Sequence, residues 1–322
     1  MNYCIAKNKD TFGKIKLAKK IYLTKKVEDR NGEWGLSTEK FGKQWFVTPK
    51  GKALFKTYDL EHDLNNGYLR LENELISNRI AKQLGLSVAE YEPAQYQIFE
   101  GLATYDYQKD GDRVIDAHKL LKMANSKTEN LVEFLEAVKI INQQGVYKID
   151  VEKMESDLFK MIVFDSLTFQ EDRGLQNILF LLNESNKTIR MAPITDNEFA
   201  FGGFQGNVVF NEKGIDREYF LSNHSHNILF TIKPMQYNGT KSKYIKSVMD
   251  IVEYASKRPK LKEFLKTALT TINYKQAIQS INETGNIVPN DYELVLLEYE
   301  KLAKDIYKKA IQKFKSQEMG LN

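Results

Sequence analysis

Two aspartates and an asparagine in the middle of the chain have the types and spacing that phosphoryl transfer requires. Asp172 and Asn177 lie five positions apart in FQEDRGLQNILFLL, and Asp196 follows in the turn TDNE. One carboxylate can accept the proton of an attacking hydroxyl, while an amide oxygen and a second carboxylate hold Mg²⁺ against nucleotide phosphates. Because the pattern D-x-x-x-x-N is common by itself, an ordinary polar turn is the alternative.

The segments around these three residues indicate how folding brings them together. The apolar helical run SDLFKMIVFDSLTF precedes the polar loop, and the β-type runs ILFLL and TIRMAPI follow it, with NESNK between them. Two such runs predict a hairpin. Asn177 stands where the hairpin begins and Asp196 just after it ends, so we expect both side chains at the same end of the hairpin.

A lysine and a glutamate in the first hundred residues favour the same chemistry. Lys56 lies in the strand-like run ALFKTY, where a cation needs an anionic partner or a route to water. Glu74 lies on the next predicted helix, YLRLENELISNRIAKQLGL, beside small residues. A strand lysine paired with a helix glutamate orients nucleotide phosphates in protein kinases. The alternatives are an edge-strand lysine that reaches solvent and a glutamate on a solvated helix face.

The wider pattern divides the chain of 322 residues into two lobes. Short β-type runs and one helix occupy residues 1–108, which we expect to form a β-rich N-lobe. Two of these runs, QWFVTP and KALFKTY, are joined by PKGK and predict a hairpin. Helical periodicity dominates residues 109–322, the expected C-lobe, and the charged segment QKDGDR marks the boundary. An α+β protein of this kind has a cleft between its lobes, where a ligand is expected.

Composition excludes several classes of protein. The single cysteine, Cys4, excludes an intramolecular disulfide, and no stretch reaches the roughly 20 apolar residues of a membrane span. A net charge of +4 is too small to predict nucleic-acid binding, and the N-terminus lacks the apolar core of a signal peptide. His224 and His226 do not have the spacing of a compact zinc motif. We therefore expect a cytoplasmic protein with no membrane contact and no direct nucleic-acid contact.

Four dispersed segments resemble the HipA-like Ser/Thr protein kinases, especially the short CtkA- and HipT-type forms. These segments are LSTEKFGKQWFVTPKGKALFK, NELISNRIAKQLGLSVAEY, IVFDSLTFQEDRGLQNILFL and MAPITDNEFAFG, in the order that the family shows. The resemblance implies a two-lobed, protein-kinase-like fold and an ATP- and Mg²⁺-dependent protein Ser/Thr kinase. It implies Asp172 as the catalytic base and Asn177 and Asp196 as Mg²⁺ ligands. It further implies Lys56 as the phosphate-binding lysine and Glu74 as the partner of that lysine.

The chain departs from the family pattern at two positions of the catalytic segment. Gln170 stands where the family usually has Asn, and Gly174 stands where it usually has His. Glycine is conformationally permissive, so a slow enzyme or a pseudokinase acting as a binding module is one alternative. Phosphorylation of a small molecule is the other alternative.

The expected nucleotide loop, GLSTEKFG, lacks the pattern G-x-G-x-x-G. The resemblance implies that Ser37 and Thr38 contact the nucleotide and are candidates for autophosphorylation. A phosphate there would add about −1.5 to −2 charge beside the triphosphate, which we expect to eject the loop and silence the enzyme. The alternative is a polar hairpin tip. Tyr105 and Tyr107 are predicted to line the adenine pocket.

The resemblance also implies partners. It predicts a toxin of a bacterial toxin–antitoxin pair, acting on a protein substrate for which an aminoacyl-tRNA synthetase is a candidate. No helix-turn-helix is recognisable in the sequence, so DNA binding is expected to belong to a separate antitoxin.

Overall fold

A computed structural model gives the fold of the chain. It describes residues 21–23, 25–26, 43–57, 70–97, 99–128, 130–170, 172–201, 210–211, 214–215, 227–228, 241–285, 288 and 290–319. The predicted nucleotide-loop residues Ser37 and Thr38 lie outside these ranges, as do His224 and His226.

The strands of the N-terminal part form one mixed sheet. They span Ile21–Tyr22 (β1), Lys25–Lys26 (β2), Lys43–Thr48 (β3), Gly51–Thr57 (β4), Tyr91–Tyr96 (β5) and Phe99–Tyr105 (β6). Their order is β1-β5-β6-β4-β3-β2; β1 runs parallel to β5, and the other neighbours are antiparallel. The predicted hairpin of β3 and β4 is present, and β4 lies between β6 and β3. Lys56 is therefore on an interior strand.

One helix, Arg70–Gln83 (α1), connects β4 with β5 in sequence. It ends just before Gly85, whose φ of +67° is the left-handed conformation that glycine adopts readily at a helix end. Leu75, Ile76 and Ile80 pack into the main hydrophobic core, and the polar residues Asn73 and Glu74 are buried as well. A buried polar residue on a helix needs a hydrogen-bond partner. Asn73 Nδ2 donates to the backbone oxygens of Glu198 and Ala200, and the partners of Glu74 lie in the candidate site.

Helices dominate the remaining two-thirds of the chain. They span Ala117–Met123 (α2), Leu131–Gln143 (α3), Val151–Leu167 (α4), Lys241–Ser256 (α5), Pro259–Thr271 (α6), Tyr274–Asn282 (α7) and Asn290–Glu318 (α8). Asn130, Asp150 and Asn273 cap α3, α4 and α7 by accepting backbone N–H groups, which satisfies donors that a helix start leaves unpaired. Helix α7 was not anticipated from the sequence, because nine residues are too few to show a clear period.

Further short strands lie among these helices. They span Asp112–Asp116 (β7), Asp172–Arg173 (β8), Leu179–Asn183 (β9), Thr188–Met191 (β10), Phe210–Asn211 (β11), Gly214–Ile215 (β12) and Asn227–Ile228 (β13). The predicted hairpin is β9 and β10, with Asn183 opposite Thr188. Strand β7 adds to its other side, antiparallel to β9. The sequence pattern does not indicate β7, because its charged ends hide the apolar pair Val114 and Ile115.

A β-sheet region followed by a mainly helical region confirms the predicted α+β fold class. Within the described part of the chain, no helix combines the length and the apolar character that a membrane span needs. The largest hydrophobic core runs from α1 through α2, α3 and α4 to α8, and a second, smaller core lies within the sheet around Phe46 and Phe55. Helix α1 thus packs with the helical region as well as with the sheet, which brings Glu74 towards the segments that follow α4 and β10.

Candidate active site

The polar loop after α4 carries Asp172 and Asn177. The loop forms β8, then a single 3₁₀ turn over Leu175–Asn177, and then enters β9. The side-chain Nδ2 of Asn177 donates to the Asp172 backbone oxygen at 2.6 Å and to Asp172 Oδ2 at 3.2 Å. Because the amide nitrogen is used in this way, the amide oxygen Oδ1 is the atom left to bind a cation.

Asp196 lies in the turn that follows β10, at the same end of the hairpin as Asn177. Its φ is +60°, a left-handed conformation that Asp tolerates better than most residues. The side chain of Gln170 donates to the Asp196 backbone oxygen at 3.0 Å. Gln170, the first departure from the family pattern, therefore retains an amide that connects the two polar segments.

Arg173 connects the segments around it through the interior. Its guanidinium, 2% exposed, binds both carboxylate oxygens of Asp165 on α4, at 3.0 and 3.2 Å. It also donates to the backbone oxygens of Thr195 at 2.7 Å and Asn177 at 3.2 Å, and to Asn197 Oδ1 at 2.5 Å. Burial acts to lower the pKa of Arg173, but the charge and hydrogen bonds of Asp165, together with the charges of Asp196 and Glu74, raise it overall, so the guanidinium stays charged.

Lys56 extends from β4 to the acidic turn. Its ammonium forms an ion pair with Glu198 and lies 3.3 Å from Asp196 Oδ1, with the lysine side chain 20% exposed. Burial acts to lower the pKa of Lys56, but Glu198, Asp196 and Glu74 raise it well above its usual value. The alternative of an edge-strand lysine reaching solvent therefore does not hold.

Gly101 lets β6 pass close beside Lys56. A Cβ atom on Gly101 would lie 2.1 Å from the Lys56 backbone oxygen and 2.8 Å from the Phe55 ring. Both neighbours belong to the strand that carries Lys56, and backbone cannot move aside as a flexible side chain can. Glycine is therefore required at this position to keep β4 and β6 paired next to the site.

Glu74 contacts the acidic turn directly. It is 3% exposed, so the alternative of a solvated helix face does not hold. One carboxylate oxygen accepts the Asn197 backbone N–H at 2.7 Å, and the other accepts Asn197 Nδ2 at 3.0 Å. Burial raises the pKa of Glu74 to about 7, although the charge of Lys56 acts to lower it. Glu74 is thus bonded to Asn197, whereas the ion pair of Lys56 is with Glu198 and Asp196.

The electrostatics of the site favour a cation beside the acids. Burial raises the pKa of Asp172, and the negative charges of Asp196 and Glu198 raise it further. The donors here are carboxylate and amide oxygens, which Mg²⁺ prefers. Among the described residues no cluster of three His, Cys, Asp or Glu side chains is arranged around one point. Asn177 and Asp196 as two ligands fit Mg²⁺, which keeps other positions for water and phosphate.

Gly174, the second departure from the family pattern, has φ −76° and ψ 168°, which is extended backbone open to any residue. A Cβ atom there would lie 2.4 Å from Nε2 of Gln176, so the Gln176 amide occupies the space into which a side chain at 174 would extend. The conformation of the loop is thus held by Arg173 and by Asn177, both of which bond across it.

Tyr105 and Tyr107 occupy different surroundings. The Tyr105 hydroxyl donates to Glu92 Oε2 at 2.5 Å, and its ring packs against the small core of the sheet. Tyr107 packs against the main core instead. A role for either residue at an adenine ring stays a prediction, as do the roles of Ser37 and Thr38.

Sequence reasoning missed four residues that hold this site together: Asp165, Arg173, Asn197 and Glu198. Asp165 and Arg173 left a signal. Asp165 interrupts the apolar run IVFDSLTF, and a buried carboxylate needs a cationic partner such as Arg173. Asn197 and Glu198 left none, because the direction of each side chain depends on the left-handed turn at Asp196.

Comparisons with known proteins support the fold. Neither family models nor curated protein sequences match the chain. A crystal structure of the Helicobacter pylori proinflammatory kinase CtkA is similar, with a TM-score of 0.60 and 16% identity over 91% of this chain and 99% of that one. A Shewanella oneidensis MR-1 complex of HipA, HipB and operator DNA matches with a TM-score of 0.44 and 13% identity, over 80% of this chain and 57% of that one. The likeness to CtkA confirms the predicted kinase-like fold, a β-sheet N-terminal region followed by a mainly helical C-terminal region.

Proposed function

We propose that the chain is an ATP- and Mg²⁺-dependent protein Ser/Thr kinase of HipA type. The observation that carries the proposal is the convergence of side chains from separate segments. Lys56 contacts Asp196, which is 140 positions away in sequence. The charge of Asp196 raises the pKa of Asp172, and Asp172 accepts a hydrogen bond from Asn177. These are the groups that phosphoryl transfer requires, and the likeness to CtkA, a structure described as that of a kinase, supports the same reading.

Each side chain has a defined part in this proposal. Asp172 accepts the proton of the substrate hydroxyl, and Asn177 keeps its carboxylate in place through the 3.2 Å hydrogen bond. Lys56 orients the phosphates and neutralises their charge. Asn177 Oδ1 and Asp196 would hold Mg²⁺, which supplies charge neutralisation of the triphosphate. The raised pKa of Asp172 brings the base closer to the working pH.

A pseudokinase is the second candidate function. Gly174 favours it, and the hydrogen bonds of Arg173 argue against it. Gly174 removes the family histidine from the catalytic segment. However, the backbone at Gly174 is ordinary, and Arg173 holds the loop from inside through bonds to Asp165, Thr195 and Asn177. The base and the metal ligands therefore have support that does not depend on a residue at 174.

The experiment that tests the proposal is incubation of purified protein with labelled ATP and Mg²⁺, with Asp172→Asn alongside. Asp172→Asn keeps the shape of the side chain and removes the base, so nucleotide binding is expected to persist. We expect label on serine or threonine of the protein itself or of an added protein, and an approximately 10²–10⁴-fold lower rate in the variant. Phosphoserine and phosphothreonine are recognised because these esters survive acid and are cleaved by base.

Other outcomes would favour the alternatives. Nucleotide binding without transfer would favour the pseudokinase that acts as a binding module. Transfer only when metabolites are added would favour a small-molecule phosphotransferase. Equal labelling of the wild type and Asp172→Asn would reject Asp172 as the base.

Regulation through GLSTEKFG belongs to the same proposal. A phosphate on Ser37 or Thr38 would repel the triphosphate. Mass spectrometry of protein incubated with ATP is expected to find phosphate within residues 35–43, and Ser37→Ala with Thr38→Ala is expected to prolong activity. Active protein without phosphate there would reject this form of regulation.

The toxin role, a separate antitoxin and an aminoacyl-tRNA synthetase substrate are proposed from the sequence resemblance. Expression of the wild type and of Asp172→Asn in bacteria, followed by comparison of the two phosphoproteomes, tests the substrate. The proposed substrate is a protein whose phosphorylation appears only with the wild type. Growth arrest that depends on Asp172 would support the toxin role.

A further inference from the structure

The turn that carries Asp196 is held at three successive residues. Arg173 donates to the Thr195 backbone oxygen at 2.7 Å, and Gln170 donates to the Asp196 backbone oxygen at 3.0 Å. At Asn197, both the backbone N–H and the side chain are bonded, to Glu74 and to Arg173. The left-handed conformation of Asp196, at φ +60°, is therefore held from both sides.

Asn197 is the residue in this turn that bridges opposite charges. Its Oδ1 accepts from the buried guanidinium of Arg173 at 2.5 Å, and its Nδ2 donates to the buried carboxylate of Glu74 at 3.0 Å. Only a side chain with one acceptor and one donor at fixed separation serves both, and a short amide is such a group. A carboxylate would suit Arg173 but would face Glu74 with like charge.

We infer that Asn197 is a positioning residue, whose amide fixes the turn 195–198 between Arg173 and Glu74 and so sets where Asp196 presents its carboxylate to a divalent cation. The inference rests on the proposed function for the identity of the cation. It goes beyond that function because it gives Glu74 a second task, which is to hold the turn through Asn197. These hydrogen bonds also connect α4 with α1: Asp165 on α4 binds Arg173, Arg173 binds Asn197, and Asn197 binds Glu74 on α1.

The reason that this position matters is geometric. The left-handed conformation of Asp196 is less favourable than a right-handed one for a residue other than glycine, so the turn relaxes once its bonds are lost. Metal ligands are sensitive to such relaxation, and loss of an outer partner typically weakens metal binding about 10–100-fold. Asn197 acts on Asp196 through the main chain, because it is the next residue in sequence and is fixed by its bonds to Arg173 and Glu74.

The test is an exchange of chemical groups between Asn197 and Glu74. Asn197→Asp alone sets two carboxylates against each other. Adding Glu74→Gln restores the hydrogen bond in the opposite direction, because the new glutamine amide donates to the new aspartate carboxylate. It also restores the number of negative charges beside Arg173. The readout is the dissociation constant of Mn²⁺, measured by electron paramagnetic resonance with a non-hydrolysable ATP analogue, together with the temperature of unfolding.

The matched control is Asn183→Asp, at a position away from the site. Asn183 is buried, and its Nδ2 donates to Asp112 Oδ1 at 2.9 Å, so the substitution creates the same apposition of carboxylates on β7 and β9. We expect Asn183→Asp to lower the temperature of unfolding without changing the Mn²⁺ dissociation constant. Asn197→Asp is expected to raise that constant about 10–100-fold, and the exchange to bring it back to within about threefold of the wild type.

The outcomes separate this inference from the proposed function. Folded Asn197→Asp that binds Mn²⁺ as the wild type does, or a folded exchange variant that does not recover binding, overturns the inference even if phosphoryl transfer occurs. Wild-type protein that binds Mn²⁺ and nucleotide but transfers nothing would reject the kinase, whereas recovery in the exchange variant would still support the role of Asn197. If Asn197→Asp does not fold, the exchange variant decides alone, and its own failure to fold or to bind would overturn the inference.

Discussion

Lys56 and Arg173 are two cations of the same site, and their partners differ in kind. Lys56 contacts the side chains of Glu198 and Asp196 and keeps some exposure to solvent. Arg173 is fully enclosed and divides its donors among a carboxylate, an amide and two backbone oxygens. Side-chain acids can turn away when a competing anion arrives, but backbone oxygens cannot. The comparison therefore distinguishes a cation whose partners can rotate away from one whose partners include fixed backbone oxygens.

Removal of Arg173 is expected to have the largest effect. Arg173→Met leaves Asp165 buried without its cation, and breaking such a pair costs about 3–5 kcal/mol of unfolding free energy. Chemical denaturation measures this loss, and Arg173→Met with Asp165→Leu is expected to recover part of it. The control is Arg190→Met, because Arg190 is 40% exposed and its aspartate, Asp112, keeps donors from Asn183 Nδ2 and the Lys109 backbone N–H. An equal loss for both arginines would break the comparison.

Removal of Lys56 is expected to affect the ligand rather than the fold. Lys56→Met should weaken ATP binding by about 1.5–3 kcal/mol, the usual contribution of a hydrogen bond to a charged group. Its unfolding free energy should fall by less than that of Arg173→Met, since Asp196 and Glu198 keep some exposure and can rotate towards water. Isothermal titration measures the affinity. Lys50→Met, which breaks the exposed ion pair with Glu92, is the control and should leave ATP binding unchanged.

Glu198 sharpens the idea of exchangeable partners. In the free protein the Glu198 carboxylate forms an ion pair with the Lys56 ammonium, which is the group that phosphates would bind. Glu198→Gln removes this competitor while keeping the size of the side chain, so we expect ATP to bind about 3–10-fold more tightly in the absence of metal. Titration with EDTA present measures this. Weaker binding in the variant would instead make Glu198 part of the nucleotide site.

The smallest expected effect is on the pH dependence. Burial and the charges of Asp196 and Glu198 raise the pKa of Asp172 above its ordinary 3.8. The base works only as a carboxylate, so kcat/KM should fall as the pH drops through this raised value. Glu198→Gln removes one negative charge, which lowers the pKa of Asp172 and should move the acid limb about 0.5–1 pH unit lower. A shift to higher pH, or no acid limb, would contradict this assignment.

The elements of the fold were predictable where the periodicity was long. The hairpin of β3 and β4, helix α1 and the hairpin of β9 and β10 all followed from their patterns. Strand β7 was not predictable, because its role as the third strand beside β9 depends on a contact between residues about 70 positions apart, such as Asp112 and Asn183. The domain boundary at residue 108 stays a prediction.

For the candidate site, the sequence selects residues but not the bonds between them, and the roles of those residues stay predictions. Spacing and resemblance selected Asp172, Asn177, Asp196 and Lys56, and the structure brings these side chains together. The pairing of Lys56 with Glu74 was expected, but Glu198 is the ion partner that the structure gives to Lys56. Pairing depends on the rotation of the chain at Asp196, which no local pattern reveals.

The close passage of β6 beside Lys56 has a consequence for surveys of mutations. Gly101 contributes no atom to chemistry, yet even one methyl group there would collide with the main chain next to Lys56. In a saturation-mutagenesis screen, Gly101 should tolerate replacement as poorly as the ionisable residues do. An intolerant position is thus not by itself a sign of catalysis, because vacant space can be as indispensable as a functional group.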